Sequence, residues 1–431
     1  MMCGRLAGTQ TGKETGVLFS AGSKTANLGE PDIRRIIGEA FDAIRLDGKR
    51  VLVVIPDHSR SGPTGTFFRS LADTLRPRTR SLDFLIALGT HPPLSEEKIN
   101  EYLHLTPAER TCRYGSVGIL NHHWNKPDEL KQVGTVPGKR IAEISNGMMK
   151  EDVPVLLNRR VLDCDHLLIC GPVFPHEVVG FSGGHKYLFP GIAAPQIINA
   201  THWLGALLTN PAIIGRRDTA VRALVEEAAS KVPIERHCIA YVVDPQALRG
   251  IFIGPVLDAW REAVGLSDQV HITYHDRSYH TVLSCAPTMY DDVWTGGKCM
   301  YKLEPVVADG GTLIIYAPHI AEVSVTHGKL IEEVGYHVRD FFVKQWDKYA
   351  KYPGGVLAHC THVKGVGTYE NGVERPRINV VLATRIPPER CRRINLGYMD
   401  PNRIDPADYA NRESEGVLCV PKAGEILYRR R

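Results

Sequence analysis

"KRVLVVIPDHSRSGPT", residues 49–64, decides the fold. Its apolar centre is short and β-branched, and it breaks abruptly into polar and turn-forming residues. A strand buried on both faces of a parallel sheet reads this way, with a loop at its carboxyl end. The plan recurs in "SLDFLIALGTHPPLSEEKINEYL" (81–103), where Ser95 with Glu96 and Glu97 marks a capped helix start. It recurs again in "CDHLLICGPVFPHEVVGFSGG" (164–184). Between 66 and 76 and between 219 and 231 the apolar positions fall at helical spacing. Strands alternating with helices predict an α/β fold, with parallel or mixed sheets flanked by helices. Ligands of such sheets collect outside the carboxyl ends of the strands. Asp57, His58 and Arg60 follow the first strand, His91 the second, and His176 and Lys186 the third, so distant segments converge on one crevice.

At 431 residues the chain exceeds one ordinary hydrophobic core, which stops growing near roughly 250 to 300 residues. Two domains are expected. The pattern restarts at "LSDQVHITYHD" (266–276), followed by strands in "YHTVLSCAP" (279–287), "GGTLIIYAPH" (310–319) and "RINVVLATRIP" (377–387), with a helical stretch over 292–307. The division therefore falls between 1–270 and 271–431, each an α/β unit. The last 40 residues show no clear period, and the terminal "YRRR" reads as a solvated tail.

A formal charge of +4 and the lack of a long basic block exclude the electrostatic footprint of a nucleic-acid binder. No stretch approaches the ~20 apolar residues of a membrane helix. The first residues lack an apolar signal region, so a cytoplasmic protein with free thiols is expected. Its ten cysteines form no CxxC pair, which argues against a thiolate zinc site. The eighteen histidines are more informative, since imidazole serves both proton transfer and metal ligation.

In "PDHSR" an acid and a guanidinium share a strand end, and an arginine fork suits a carboxylate or phosphate, or else a surface ion pair. In "ALGTHPP" two prolines fix the backbone beyond His91, which suits a general base as well as a loop-capping histidine. "GFSGGHKYLFPG" (180–191) holds Ser182, Gly183, Gly184 and Lys186. It meets neither the Walker nor the Rossmann pattern, though paired glycines still permit close approach of a phosphate. His185 beside the lysine faces either solvent or phosphate. His202 in "NATHWLGAL" reads by itself as a packed helical residue. His359 and His362 have the i, i+3 spacing of a chelating pair, but flanking glycine and β-branched residues predict a loop there. His122 and His123 are read as structural.

Together "PDHSR", "ALGTHPP", "PHEVVGFSGGHKYLFPGI" and "THW" occur in an order and at intervals that resemble the nickel-pincer lactate racemase family. The resemblance runs from about residue 50 to about 320 and is most specific over 172–205. It implies a 2-hydroxyacid racemase or epimerase with its active site in the cleft between two α/β domains, 1–270 binding the cofactor and carrying catalysis, 271–431 contributing substrate contacts. It implies a cofactor, the nickel complex of pyridinium-3,5-bisthiocarboxylic acid mononucleotide, tethered as a thioamide to Lys186. His202 matches the family's nickel ligand, and His91 and His176 match its two bases. Ser182, Gly183 and Gly184 would bind the cofactor, and Asp57 and Arg60 match a pair near the substrate. Hydride transfer through a 2-keto acid avoids abstracting the very weakly acidic α-proton of a carboxylate. Besides the substrate, the partners implied are the enzymes that build the cofactor.

The second half departs from the family. In "YDDVWTGGKCM" Trp294 stands at the aromatic position, Thr295 replaces a glutamine, and Lys298 is retained. The shorter Thr295 implies a roomier pocket and a substrate larger than lactate, such as a sugar acid. Two rival readings remain: a zinc-dependent hydrolase using His91, His176 and His202, and a catalytically inactive nucleotide-binding homologue.

Overall fold

The structure, a computed structural model, describes residues 18–431. Seven strands form the first sheet: β1 (Phe19–Gly22), β2 (Arg50–Pro56), β3 (Ser81–Ala87), β4 (Gly118–Asn121), β5 (His166–Pro172), β6 (Arg236–Val243) and β7 (Leu248–Pro255). Their order is β1-β7-β6-β5-β2-β3-β4. From β6 to β4 every pairing is parallel, while β7 pairs antiparallel with both β6 and β1. The sheet is therefore mixed, with an antiparallel edge.

Alternation explains why the strand sequences are apolar throughout. Val51, Val53 and Ile55 of β2 belong to one buried cluster, and Leu52 and Val54 to another on the opposite face. Helices α1 (Glu30–Ala43) and α2 (Thr64–Leu75) cover the first face. Ile33, Ile36, Ile37, Ala40 and Phe41 of α1 recur at three and four residues, as do Phe67, Phe68, Leu71 and Leu75 of α2, and all are buried. Helices α3 (Pro195–Leu208), α4 (Ala220–Ala229) and α5 (Val256–His271) supply side chains to the other face. Burial of each such side chain is worth roughly 1.5–3 kcal/mol. No described helix is long and apolar enough to cross a membrane.

The second sheet contains β8 (Tyr279–Cys285), β9 (Val307–Ala317), β10 (Asn379–Thr384), β11 (Gly397–Tyr398) and β12 (Val417–Val420), all parallel, in the order β11-β10-β9-β8-β12. One buried apolar cluster runs from the first sheet into the second.

Three sequence expectations are corrected. Residues 292–307 form not one helix but Val293–Gly296, Lys298–Tyr301 and a 3₁₀ turn at Glu304–Val306. The chain end is not a loose tail, because Leu427–Arg430 pairs in parallel with Ile272–His275 and buries Leu427. His359 and His362 lie on a helix, α6 (Gly354–Lys364). Its first-turn glycines are used for close approach: a Cβ on Gly354 would sit 2.9 Å from the Asn199 carbonyl oxygen of α3. Packing against α3 outweighs the helix cost of glycine.

Candidate active site

The carboxyl ends of β2, β3 and β5 face the loops that follow β8 and β9 and the start of α6. Between them lies a cavity of about 240 Å³. It is lined by Asp57, Arg60, His91, His176, Lys186 and His202 from the first sheet's side, and by Trp294, Thr295 and Lys298 from the second's. The crevice expected from the strand ends is thus present. Several bonds hold its walls together: Thr326 donates to the Thr90 carbonyl (3.2 Å), Gly355 N–H to Asn199 Oδ1 (3.0 Å), and Lys298 Nζ to the Ser59 carbonyl (3.4 Å).

Asp57 opens the loop after β2 and points at His91, with Oδ2 2.5 Å from Nδ1. Its other oxygen accepts from the Ser59 hydroxyl (2.7 Å) and N–H (3.2 Å). Burial alone would raise this carboxyl, but His91, Arg60 and Lys298 hold it well below the usual carboxylate range. With Nδ1–H directed at a carboxylate, the His91 ring offers Nε2 as a proton acceptor. The Gly89 N–H donates to Gly191 O (2.9 Å), so the His91 loop is pinned to the segment that carries Lys186.

His176 is arranged differently. Its Nδ1 accepts the Val178 N–H at 3.1 Å, so its neutral ring carries hydrogen on Nε2. Glu177 Oε2 lies 3.3 Å from the same Nδ1. Burial first, then Lys186 and Arg60, drives His176 well below the ordinary histidine range. Glu177 is held ionised, burial being outweighed by His362, Arg60 and Lys302. His202 Nδ1 donates to the Ile198 carbonyl one helical turn back (2.7 Å), which leaves Nε2 as a lone-pair donor. Lys186 is pushed down to about 7, chiefly by burial and then by Arg60. Its amine is nucleophilic near neutrality.

Ser182, Gly183 and Gly184 do not line the cavity, contrary to expectation. The Ser182 hydroxyl is consumed, accepting from Phe174 N–H (2.9 Å) and donating to Pro172 O (3.1 Å). A Cβ at Gly183 or Gly184 would meet the Val173 or Trp260 side chain, and both glycines have positive φ, +84° and +58°. They serve a tight turn against the core, not an approach by phosphate. His185 faces neither solvent nor phosphate: Nδ1 lies 2.5 Å from Glu226 Oε2, and Arg236 donates to Nε2 (3.0 Å). His122 is structural as expected, bonded to Ala193 O and Asn158.

The sequence reading missed Trp124, Glu177, Tyr187 and His327, all of which line the cavity. Glu177 adjoins His176 and was visible in the same motif, whereas Trp124 and His327 arrive from unrelated loops and carried no local signal. His359 reaches the site's edge, its ring 4.3 Å from that of Trp294 and its Nε2 3.1 Å from the Tyr336 hydroxyl. His91, His176 and His202 do not form a three-ligand set: among the described residues, only His166, Glu235 and His237 bring three such donors within 4.8 Å of one another.

Residues 28–213 match the lactate racemase N-terminal domain. The N-terminal part of the chain is thus similar to the lactate racemase-like family. A lactate racemase of Thermoanaerobacterium thermosaccharolyticum is 31% identical over 201 residues, 43% of this chain and 42% of the relative. A lactate racemase of Lactiplantibacillus plantarum is 29% identical over 169 residues, 38% and 35% of the two chains. The matched stretch thus spans about two fifths of the length of these curated relatives. A crystal structure of a Thermotoga maritima protein superposes with a TM-score of 0.86 at 32% identity, covering 94% of this chain and 99% of that one. The lactate racemase apoprotein of T. thermosaccharolyticum superposes at 0.67 and 16% identity over 94% of each chain, a likeness of fold.

Proposed function

We propose that the chain is a 2-hydroxyacid racemase or epimerase that inverts C2 through a 2-keto acid intermediate. One observation carries the reading: the Asp57-backed His91, His176, Lys186 and a His202 with its Nε2 free line a single cavity. Residues 1–270 would hold the cofactor and the bases, and residues 271–431 would complete the substrate contacts.

The donor set fits the nickel-pincer nucleotide. Lys186, half-buried and with its amine lowered to about 7, would carry the thioamide, and His202 Nε2 would ligate nickel. When bound, that group supplies the acceptor and donor of the C2 hydride. Its supply would require partner enzymes that synthesise it.

The protein's own residues do the rest. Arg60, and Lys298 when protonated, would meet the substrate carboxylate in the cavity. His91 Nε2 takes the hydroxyl proton of one enantiomer, and Asp57 stabilises the resulting imidazolium. His176 serves the other through Nε2, which is free to take the proton when Nδ1 carries its hydrogen toward Glu177 Oε2, 3.3 Å away; in the resting tautomer Nδ1 accepts from Val178. Glu177 therefore acts as the counter-ion that makes the protonated state of His176 accessible despite burial.

The substrate's C3 substituent meets aromatic walls. Trp294 and His327 have ring centroids 4.5 Å apart, and Trp124 and His327 5.9 Å. The Thr295 hydroxyl is tied to Asp292 (3.0 Å), so it offers the substrate little. These flat faces and the missing glutamine favour a substituent larger than methyl, such as the carbon chain of a sugar acid. The deciding experiment is a panel of 2-hydroxy acids on nickel-loaded protein, scored for C2 inversion. Intact mass should show an adduct on Lys186. Bound zinc with an unmodified lysine would reject the reading in favour of hydrolysis.

A further inference from the structure

At the opposite end of the first sheet, where β5 and β6 begin, lies a second cluster that catalysis does not use. His166 opens β5, and Glu235 and His237 flank the first residue of β6. Because β5 and β6 run parallel with Leu168 opposite His237, the two histidines share one face. Their rings are nearly parallel, 16° apart, and His166 Nε2 lies 3.0 Å from His237 Nδ1. Glu235 Oε2 is 3.4 Å from His166 Nδ1. One donor atom from each of the three falls within 4.8 Å of the others.

We propose that His166, Glu235 and His237 form a binding site for a divalent transition-metal ion such as zinc or nickel, separate from the catalytic cavity. Two imidazoles and one carboxylate are the donor types such ions take, leaving a position for water. In a tetrahedral site with bonds of about 2.0–2.1 Å, donors stand roughly 3.3 Å apart. The His166–His237 pair already has nearly that spacing, and Glu235, being exposed, can close the remainder. His166 is fully buried, so its ring is held in place, and its Nδ1 lies against the Glu235 carboxylate.

Lys49 opposes the ion. Its Nζ lies 3.1 Å from Glu235 Oε2, so metal binding must displace a half-exposed ion pair. Exposed pairs of this kind contribute little to stability, so a bound metal can displace this one.

The test is equilibrium dialysis of zinc alone, and of nickel alone, against full-length His202→Ala protein, whose catalytic nickel ligand is gone. One equivalent should remain bound that the added His237→Ala change removes. Glu235→Gln should weaken that equivalent at least tenfold, and Lys49→Met should tighten it. Ions lodged in the catalytic cavity would be unaffected by all three changes. Should His237→Ala fail to fold, the surface changes at 235 and 49 still give the answer. Equal stoichiometry and affinity in the parent and in the Glu235→Gln and Lys49→Met proteins would overturn the proposal and leave the cluster a hydrogen-bonded sheet edge.

Discussion

Asp57 and His91 meet across the carboxyl ends of neighbouring strands, with Oδ2 2.5 Å from Nδ1. β2 and β3 are paired so that Pro56 lies opposite Ala87, which brings the two loops out side by side. The carboxylate fixes the ring's tautomer and balances the charge that it gains. Asp57→Asn keeps the shape but removes that charge, so kcat for racemisation should fall about 10²- to 10⁴-fold with nickel content unchanged. Steady-state kinetics on loaded protein checks this, and an unchanged kcat would remove Asp57 from the proton path.

The two bases are chemically distinct, yet enantiomers are equal in free energy. Replacing His91 or Glu177 should therefore lower kcat/KM by the same factor in both directions, although kcat and KM can shift differently in each. For Glu177→Gln we expect a loss of about 10- to 100-fold, as for other groups that support a reacting side chain. Polarimetry from each pure enantiomer measures it. Retention of full activity would mean that Glu177 does not steady protonated His176.

His202 Nδ1 is committed to the Ile198 carbonyl, so the ring is held with Nε2 toward the cavity. His202→Ala should abolish nickel retention, read by metal analysis, while circular dichroism and the thermal midpoint stay near those of the parent. Global unfolding would instead show that the ring is needed for packing beside Trp203.

How far the sequence could lead depends on the range of the interaction. Strands β2, β3 and β5 were legible because each is a short apolar run that stops in turn residues, and the capped start at Ser95 is realised, its side chain accepting from Lys98 N–H. His91, His176, Lys186 and His202 were legible because each follows a strand or sits in a compact motif. What failed depended on partners distant in sequence. The helix of His359 and His362 is imposed by contact with α3, and Gly184 is explained by Trp260, 76 residues away. His327 and Trp124 join the cavity only because two separate loops meet there, a proximity that no spacing encodes.

Trp294 stacks obliquely against His327 and His359, at 4.5 and 4.3 Å. Trp294→Ala should widen the wall and lower the preference for large over small 2-hydroxy acids at least tenfold in the kcat/KM ratio. The same substrate panel reads this out. An unaltered ratio would show that the C3 substituent lies elsewhere.

Lys298 illustrates the cost of building such a site. Burial, and then Arg60, lowers its amine to about 7, against roughly 10.4 for an unfolded chain. Between those values the unfolded state binds the extra proton, so the apoprotein should gain stability as pH rises from 7 toward 10, and lose that contribution as pH falls through 7. Lys186 and Lys302, lowered to about 7 and about 8, add slopes of the same sign. Lys298→Met removes one slope. Its advantage over the parent in urea midpoint should therefore be largest at pH 7 and shrink by pH 9, while KM rises because a substrate cation is gone. A midpoint difference that stays constant between pH 7 and pH 9 would mean that Lys298 remains charged in the folded protein, solvated or paired well enough to offset its burial.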